Sequence, residues 1–246
     1  MFDPPEGVVI AAATDRRFPR GVADPAAMRA FVHDRVGSVL ALDLATGAVA
    51  WRAGTALRPL SVVGEVLVTA RVAPRGAIEI VMLDAEDGHR LRVSKPLALP
   101  DWAQPSLDDT PDFSLRAETE DRAVLLHWAA SAGYRGGAAP SAKVLAAAER
   151  QARGAARVQV DSGALEPLPE SAAAPEHLGE PVAPVSDPEV LEQRDIGAKR
   201  FQLVARGGAG KSVQVLVRAV DHVTGRTVWE TVIDEEPARR PRPLRP

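Results

Sequence analysis

Apolar positions along this chain come in short runs, many of them alternating with polar ones. Alternation at period two is the mark of a strand with one buried face. The runs are rich in Val, Ile, Leu and Thr and are broken by Gly, Pro and Asp, which close tight turns. The pattern predicts four groups of four strands. The first group is Val8–Thr14, Arg29–Asp34, Ser38–Asp43 and Ala48–Arg52. The second is Leu60–Val63, Val66–Val72, Ala77–Asp84 and His89–Lys95, with Gly64-Glu65 turning between its first two strands. The third is Phe113–Thr119, Ala123–Ser131, Ala156–Asp161 and Ala164–Leu168. The fourth is Glu189–Asp195, Arg200–Arg206, Ser212–Asp221 and Arg226–Ile233.

A recurring segment joins the last two strands of each group. It reads Leu42-Asp43-Leu44-Ala45-Thr46-Gly47-Ala48-Val49-Ala50-Trp51 in the first. It returns as Leu83-Asp84-Ala85-Glu86-Asp87-Gly88-His89-Arg90-Leu91-Arg92 and as Val220-Asp221-His222-Val223-Thr224-Gly225-Arg226-Thr227-Val228-Trp229. A shortened copy is expected at Val160-Asp161-Ser162-Gly163-Ala164-Leu165. In the full copies Gly follows Asp by four residues. The Asp side chain accepts backbone N–H groups about two residues on and nucleates the turn. Gly supplies the positive φ that the tight connection needs. Trp51 and Trp229 fall eight residues after their Asp and are expected to pack between neighbouring units.

The Asp-to-Asp steps are 41, 77 and 60 residues. The shortest matches one four-stranded propeller blade of about 40–45 residues, and the longer ones need insertions. The predicted fold is therefore an all-β propeller of about four four-stranded blades, open or completed by self-association, with one short helical insertion. The blades are expected at about 7–54, 58–97, 111–168 and 178–234.

The pattern Leu-Asp-x-x-Thr-Gly-x-x-x-Trp, preceded by a strand such as Ser38-Val39-Leu40-Ala41, resembles the pyrroloquinoline-quinone-like, or quinoprotein-like, β-propeller repeat. The resemblance is strong at 29–95 and 200–233 and weaker at 113–168. It implies the fold. The family's quinone-dependent alcohol dehydrogenases are much larger, and their cofactor site involves a disulfide of adjacent cysteines. This chain has no cysteine, so the resemblance argues against quinone chemistry, and no residue matches a cofactor or calcium ligand of the family.

Charge and composition narrow the function classes further. The 30 basic and 33 acidic residues give a formal net charge of -3, which argues against a general nucleic-acid binder. Without cysteine there are no disulfides or thiolate metal sites. The first apolar run, Val8 to Ala13, follows Asp3 and Glu6 rather than the basic region of a secretory signal. No window approaches the roughly 18 apolar residues of a membrane helix. The expectation is a cytoplasmic protein.

Segments that depart from the repeat are the places to look for function, because binding residues concentrate in loops on rigid scaffolds. The largest departure is Tyr134–Gly154, taken as lying outside any repeat. Pro140-Ser141 forms a helix start, Gly154 a stop, and the interior is made mostly of strong helix formers. Tyr134, Arg135, Lys143, Arg150 and Arg153 make it basic, with Glu149 its one acid. On a net acidic chain such a patch can steer an acidic partner; the alternative is a packing helix that covers an edge or a pore mouth. Residues 169–188, rich in Pro, Ala and Glu, read as a linker. The end of the chain, Glu235 to Pro246, holds four prolines and four arginines, and 237–246 are expected as a disordered tail.

Candidate chemistry is sparse. Ala205-Arg206-Gly207-Gly208-Ala209-Gly210-Lys211-Ser212 nearly matches a phosphate-binding loop, but that loop must open a helix. The following Val213-Gln214-Val215-Leu216-Val217 reads as a strand, so a hairpin is expected. His33, His89, His127, His177 and His222 show no helical metal spacing. Asp108-Asp109 and the set Glu118, Glu120 and Asp121 read as solvated loops flanking Phe113–Thr119. The leading expectation is a non-catalytic scaffold that binds a protein partner, with no cofactor, no metal, no nucleic acid and no membrane. The alternative is a quinone- or small-ligand-binding enzyme using the central channel. A third reading is half of a larger ring completed by self-association.

Overall fold

The computed structural model describes residues 8–10, 21–34, 37–54, 57–73, 76–100, 103, 113–130, 142–169, 189–207 and 212–237. They form four antiparallel sheets. Blade one contains β1 (Val8–Ile10), β2 (Gly21–Asp24), β3 (Arg29–His33), β4 (Val39–Asp43) and β5 (Val49–Ala53). Blade two contains β6 (Arg58–Val63), β7 (Val66–Val72), β8 (Ile78–Asp84) and β9 (Arg90–Val93). Blade three contains β10 (Phe113–Thr119), β11 (Ala123–Ala130), β12 (Gly154–Gln159) and β13 (Leu165–Pro167), with the helix α1 (Ala142–Gln151) between β11 and β12. Blade four contains β14 (Glu189–Ile196), β15 (Lys199–Gly207), β16 (Ser212–Asp221) and β17 (Thr227–Pro237). Every strand pairs with its chain neighbours, so each sheet is a meander. The architecture is the all-β propeller type read from the alternation.

Two strand assignments need correction. β2 lies between the first two strands predicted for blade one, which therefore has five strands. Gly21-Val22-Ala23-Asp24 offers only two apolar side chains, too few to register as a pattern. Close packing holds it: Val22 and Ala23 are buried, and a Cβ on Gly21 would run into the Phe31 carbonyl and the Val32 side chain. At the other end, β17 continues to Pro237, which pairs with Ser212. The first residue assigned to the tail thus belongs to the sheet, and 238–246 lie outside the described residues. Most of the linker, 170–188, lies outside them too.

The repeated turn is built as its residue types require. The Asp43 carboxylate accepts the N–H groups of Ala45 and Thr46 and the Thr46 hydroxyl at 2.8–2.9 Å. Gly47, at φ 77°, donates its N–H to the Asp43 carbonyl at 2.7 Å. Asp221 accepts the same three donors from Val223 and Thr224. The Thr46 hydroxyl and then its amide hold Asp43 below the usual carboxylate range. At Asp221 the Thr224 amide and then its hydroxyl do the same.

Blade three corrects the repeat alignment. Gln159 exchanges backbone bonds with Ala164 and Gly163 at 2.9 and 2.8 Å, the same pair that Asp43 makes with Ala48 and Gly47. Gln159 therefore occupies the Asp position, and this copy has full length. Asp161 sits further round the turn and pairs with Arg122 at 2.6 Å. The backbone and the positive φ of Gly163 carry the turn, so the side chain at its first position can change.

Three buried clusters join the blades. Leu40, Leu42 and Leu44 of blade one meet Phe201, Leu203 and Val217 of blade four. Phe31, Val39 and Ala41 on the other face of blade one meet Leu67, Val81 and Leu83 of blade two. Val68, Ile80 and Met82 meet Phe113, Leu126 and Val158 of blade three. Among the described residues no such cluster joins blade three to blade four.

The turns report the same order. Trp229 lies over the turn of blade one, where a Cβ on Gly47 would fall 2.5 Å from its ring, and its indole N–H donates to the Leu44 carbonyl at 3.3 Å. Trp51 lies likewise over Gly88 and donates to Ala85 at 3.2 Å. Arg92, at the equivalent position of blade two, lies over Gly163, its Cβ 3.7 Å from where a glycine Cβ would stand. Blade three has Pro167 at that position, and a Cβ on Gly225 of blade four would meet nothing within 4 Å. The seams run in the order four, one, two, three.

Candidate functional site

The sequence singles out five residues in the insertion of blade three. Tyr134 and Arg135 lie outside the described residues. Lys143 and Arg150 stand exposed on α1, and Arg153 is half-buried just past its end. Val144, next to Lys143, is 58% exposed. The helix runs as its signals predict, from the residue after Ser141 to Gln151. Its end is less separable than expected. Ala152 is fully buried and its carbonyl accepts the N–H of Ala130 at 3.2 Å. Gly154 opens β12 opposite Trp128, and a Cβ there would strike the indole. Ala152 and Gly154 therefore belong to the blade, which corrects the reading of Tyr134–Gly154 as wholly outside the repeat.

The near match to a phosphate loop falls in a hairpin. β15 and β16 run antiparallel with Gly207 opposite Val213. A strand follows Ser212, so there is no helix N-terminus there to hold phosphate; residues 208–211, Lys211 included, lie outside the described residues. His89 sits with two carboxylates, and His222 lies 3.6 Å from Asp195. Asp84, Asp87 and His89 each offer a ligand atom within 4.8 Å of the others. Two of them are hydrogen-bonded to each other, His89 Nδ1 lying 2.6 Å from Asp87 Oδ1, and both of these side chains are well exposed. The His89 amide and then its ring hold Asp87 below the usual carboxylate range. Of the acidic clusters, Asp108-Asp109 lie outside the described residues. Glu118 belongs to β10 rather than a loop, and Glu120 is not simply solvated, since it pairs with Arg157 at 2.8 Å.

A feature missed from sequence is the chemistry of the two faces left over by the seams. The residues just before the turns, Leu42, Leu83, Val158 and Val220, bring the four ladders into register. Two residues earlier, Leu40, Val81 and Ala156 face the preceding blade and are buried. Blade four has Arg218 there. The cross-strand partners are Val32, Thr69 and Leu126, but Gln202 in blade four. One ladder step on they are Ala30, Leu67 and Val124, but Arg200 in blade four. On faces toward the following blade, Ala41, Met82 and Ala219 correspond to Arg157 in blade three.

These polar side chains satisfy one another within each sheet. Arg218 donates to Gln202 Oε1 at 2.7 and 3.0 Å and lies 3.8 Å from Glu230. Arg206 pairs with Glu230 at 2.8 Å, and Arg200 with Asp195 at 2.8 Å. In blade three, Glu118, Leu125, Arg157 and Glu166 follow one another across the strands. Period-two alternation is blind to this difference, because Ala and Arg can occupy the same side of the same strand. Comparing equivalent positions between copies would have found it.

No family model and no curated protein matches the chain. Among solved structures it is similar to BamB from Moraxella catarrhalis, at 14% identity and a TM-score of 0.36, covering 83% of this chain and 49% of that one. It is similar to the quinohemoprotein alcohol dehydrogenase ADHIIG from Pseudomonas putida HK5, at 12% identity and a TM-score of 0.36, covering 94% and 38%. It is also similar to the β-propeller domain of Cps50 (Swd1) from Myceliophteria thermophila, at 12% identity and a TM-score of 0.30, covering 93% and 88%. The chain thus spans about half the length of BamB. The blade assignment itself rests on the ladders and seams described above. Among the described residues no helix is long and apolar enough to cross a membrane.

Proposed function

We propose that this chain is a cytoplasmic, non-catalytic scaffold of the quinoprotein-like propeller type that binds an acidic protein partner through the α1 insertion. The observation that supports the reading is the placement of α1. The corresponding hairpin of blade one is closed by Asp34 and Ser38, and that of blade two by Ala73 and Ala77. Blade three instead raises a ten-residue helix that exposes Lys143, Val144 and Arg150. An enlarged loop on a rigid array is a usual arrangement for recognition, and cations beside an exposed aliphatic suit an acidic surface with an apolar spot. The test is affinity capture with the wild-type chain and with Lys143→Glu/Arg150→Glu, identifying the recovered proteins by mass spectrometry. The reading expects a defined partner held by the wild type and lost from the variant at unchanged thermal stability. Recovery of the same proteins by both would overturn it.

A further inference from the structure

We draw no further inference here: the strongest candidate, the side-chain cluster of Asp84, Asp87 and His89 on the turn of blade two, is an acidic cluster held by hydrogen bonds of its own turn, and nothing among the described residues points to a ligand there.

Discussion

The seam between blades one and two and the outward face of blade four use the same strands, ladders and turn, with opposite side chains. At the seam, Leu67, Val81 and Leu83 are buried against Phe31 and Val39, and Trp51 closes over the neighbouring turn. On blade four, Arg200, Gln202 and Arg218 hold the equivalent ladder positions, and no described residue stands over Gly225. The difference teaches that the repeat specifies the blade and only a subset of its positions specifies what the blade packs against. A terminal unit of a stacked array needs a polar outer face. Here part of that face exchanges aliphatics for arginines that pair within their own sheet, while Val204 and Leu216 on the same side stay buried. Such half-exposed pairs add little stability.

The largest contrast should come from the turn glycines. Gly47→Val places a β-branched residue at positive φ and drives it into Trp229, so a loss of about 3–5 kcal/mol is expected from strain and overpacking together. Gly225→Val meets the strain alone and should lose about 1–3 kcal/mol. Equal losses in denaturant unfolding would show that Trp229 contributes nothing at its seam, or that the turn of blade four is covered after all.

A smaller effect is expected at the covering side chains. Trp51→Ala removes an indole packed against Phe31 at a ring distance of 5.7 Å and should cost about 3 kcal/mol. Arg92→Ala, at the equivalent place between blades two and three, removes only an exposed stem and should cost under about 1 kcal/mol. Thermal unfolding of the two variants side by side separates a seam closed by an aromatic from one closed by the aliphatic cluster beneath.

Smallest is the acid response of the turns. Asp43 and Asp221 have carboxyls held below their unfolded range, so they bind protons less readily in the folded chain. Their stabilisation is present above about pH 4 and is lost as the pH falls through the folded values. Asp43→Asn should flatten the acid limb of the stability curve. The turn of blade three opens on Gln159 and has no carboxylate at that position. An unchanged acid limb in Asp43→Asn would remove the carboxylate from the account.

Much of the fold was legible because strand period and turn chemistry are local. Val66–Val72, Phe113–Thr119 and Ser212–Asp221 begin and end where the alternation places them. β2 was not legible, since its stability comes from the close approach that Gly21 allows to Phe31 and Val32 on the next strand, a contact with no periodic trace. Gln159 was hidden because the motif was read from side chains while the turn is held by backbone. For the candidate site, the exposed Lys143 and Arg150 followed from helix signals. The two polar faces did not, since which side of a strand meets a neighbouring blade is a property of the assembled sheets.

Because the chain has no cysteine, a single introduced thiol can report directly on each seam. Leu40→Cys, Val81→Cys, Ala156→Cys and Arg218→Cys occupy equivalent ladder positions, and labelling with a thiol reagent in dilute native solution measures their exposure. The first three should be protected down to the rate of global unfolding, and Arg218→Cys should react orders of magnitude faster. If Arg218→Cys were as protected as the others in dilute solution, blades three and four would be sealed within one chain, contradicting the open seam.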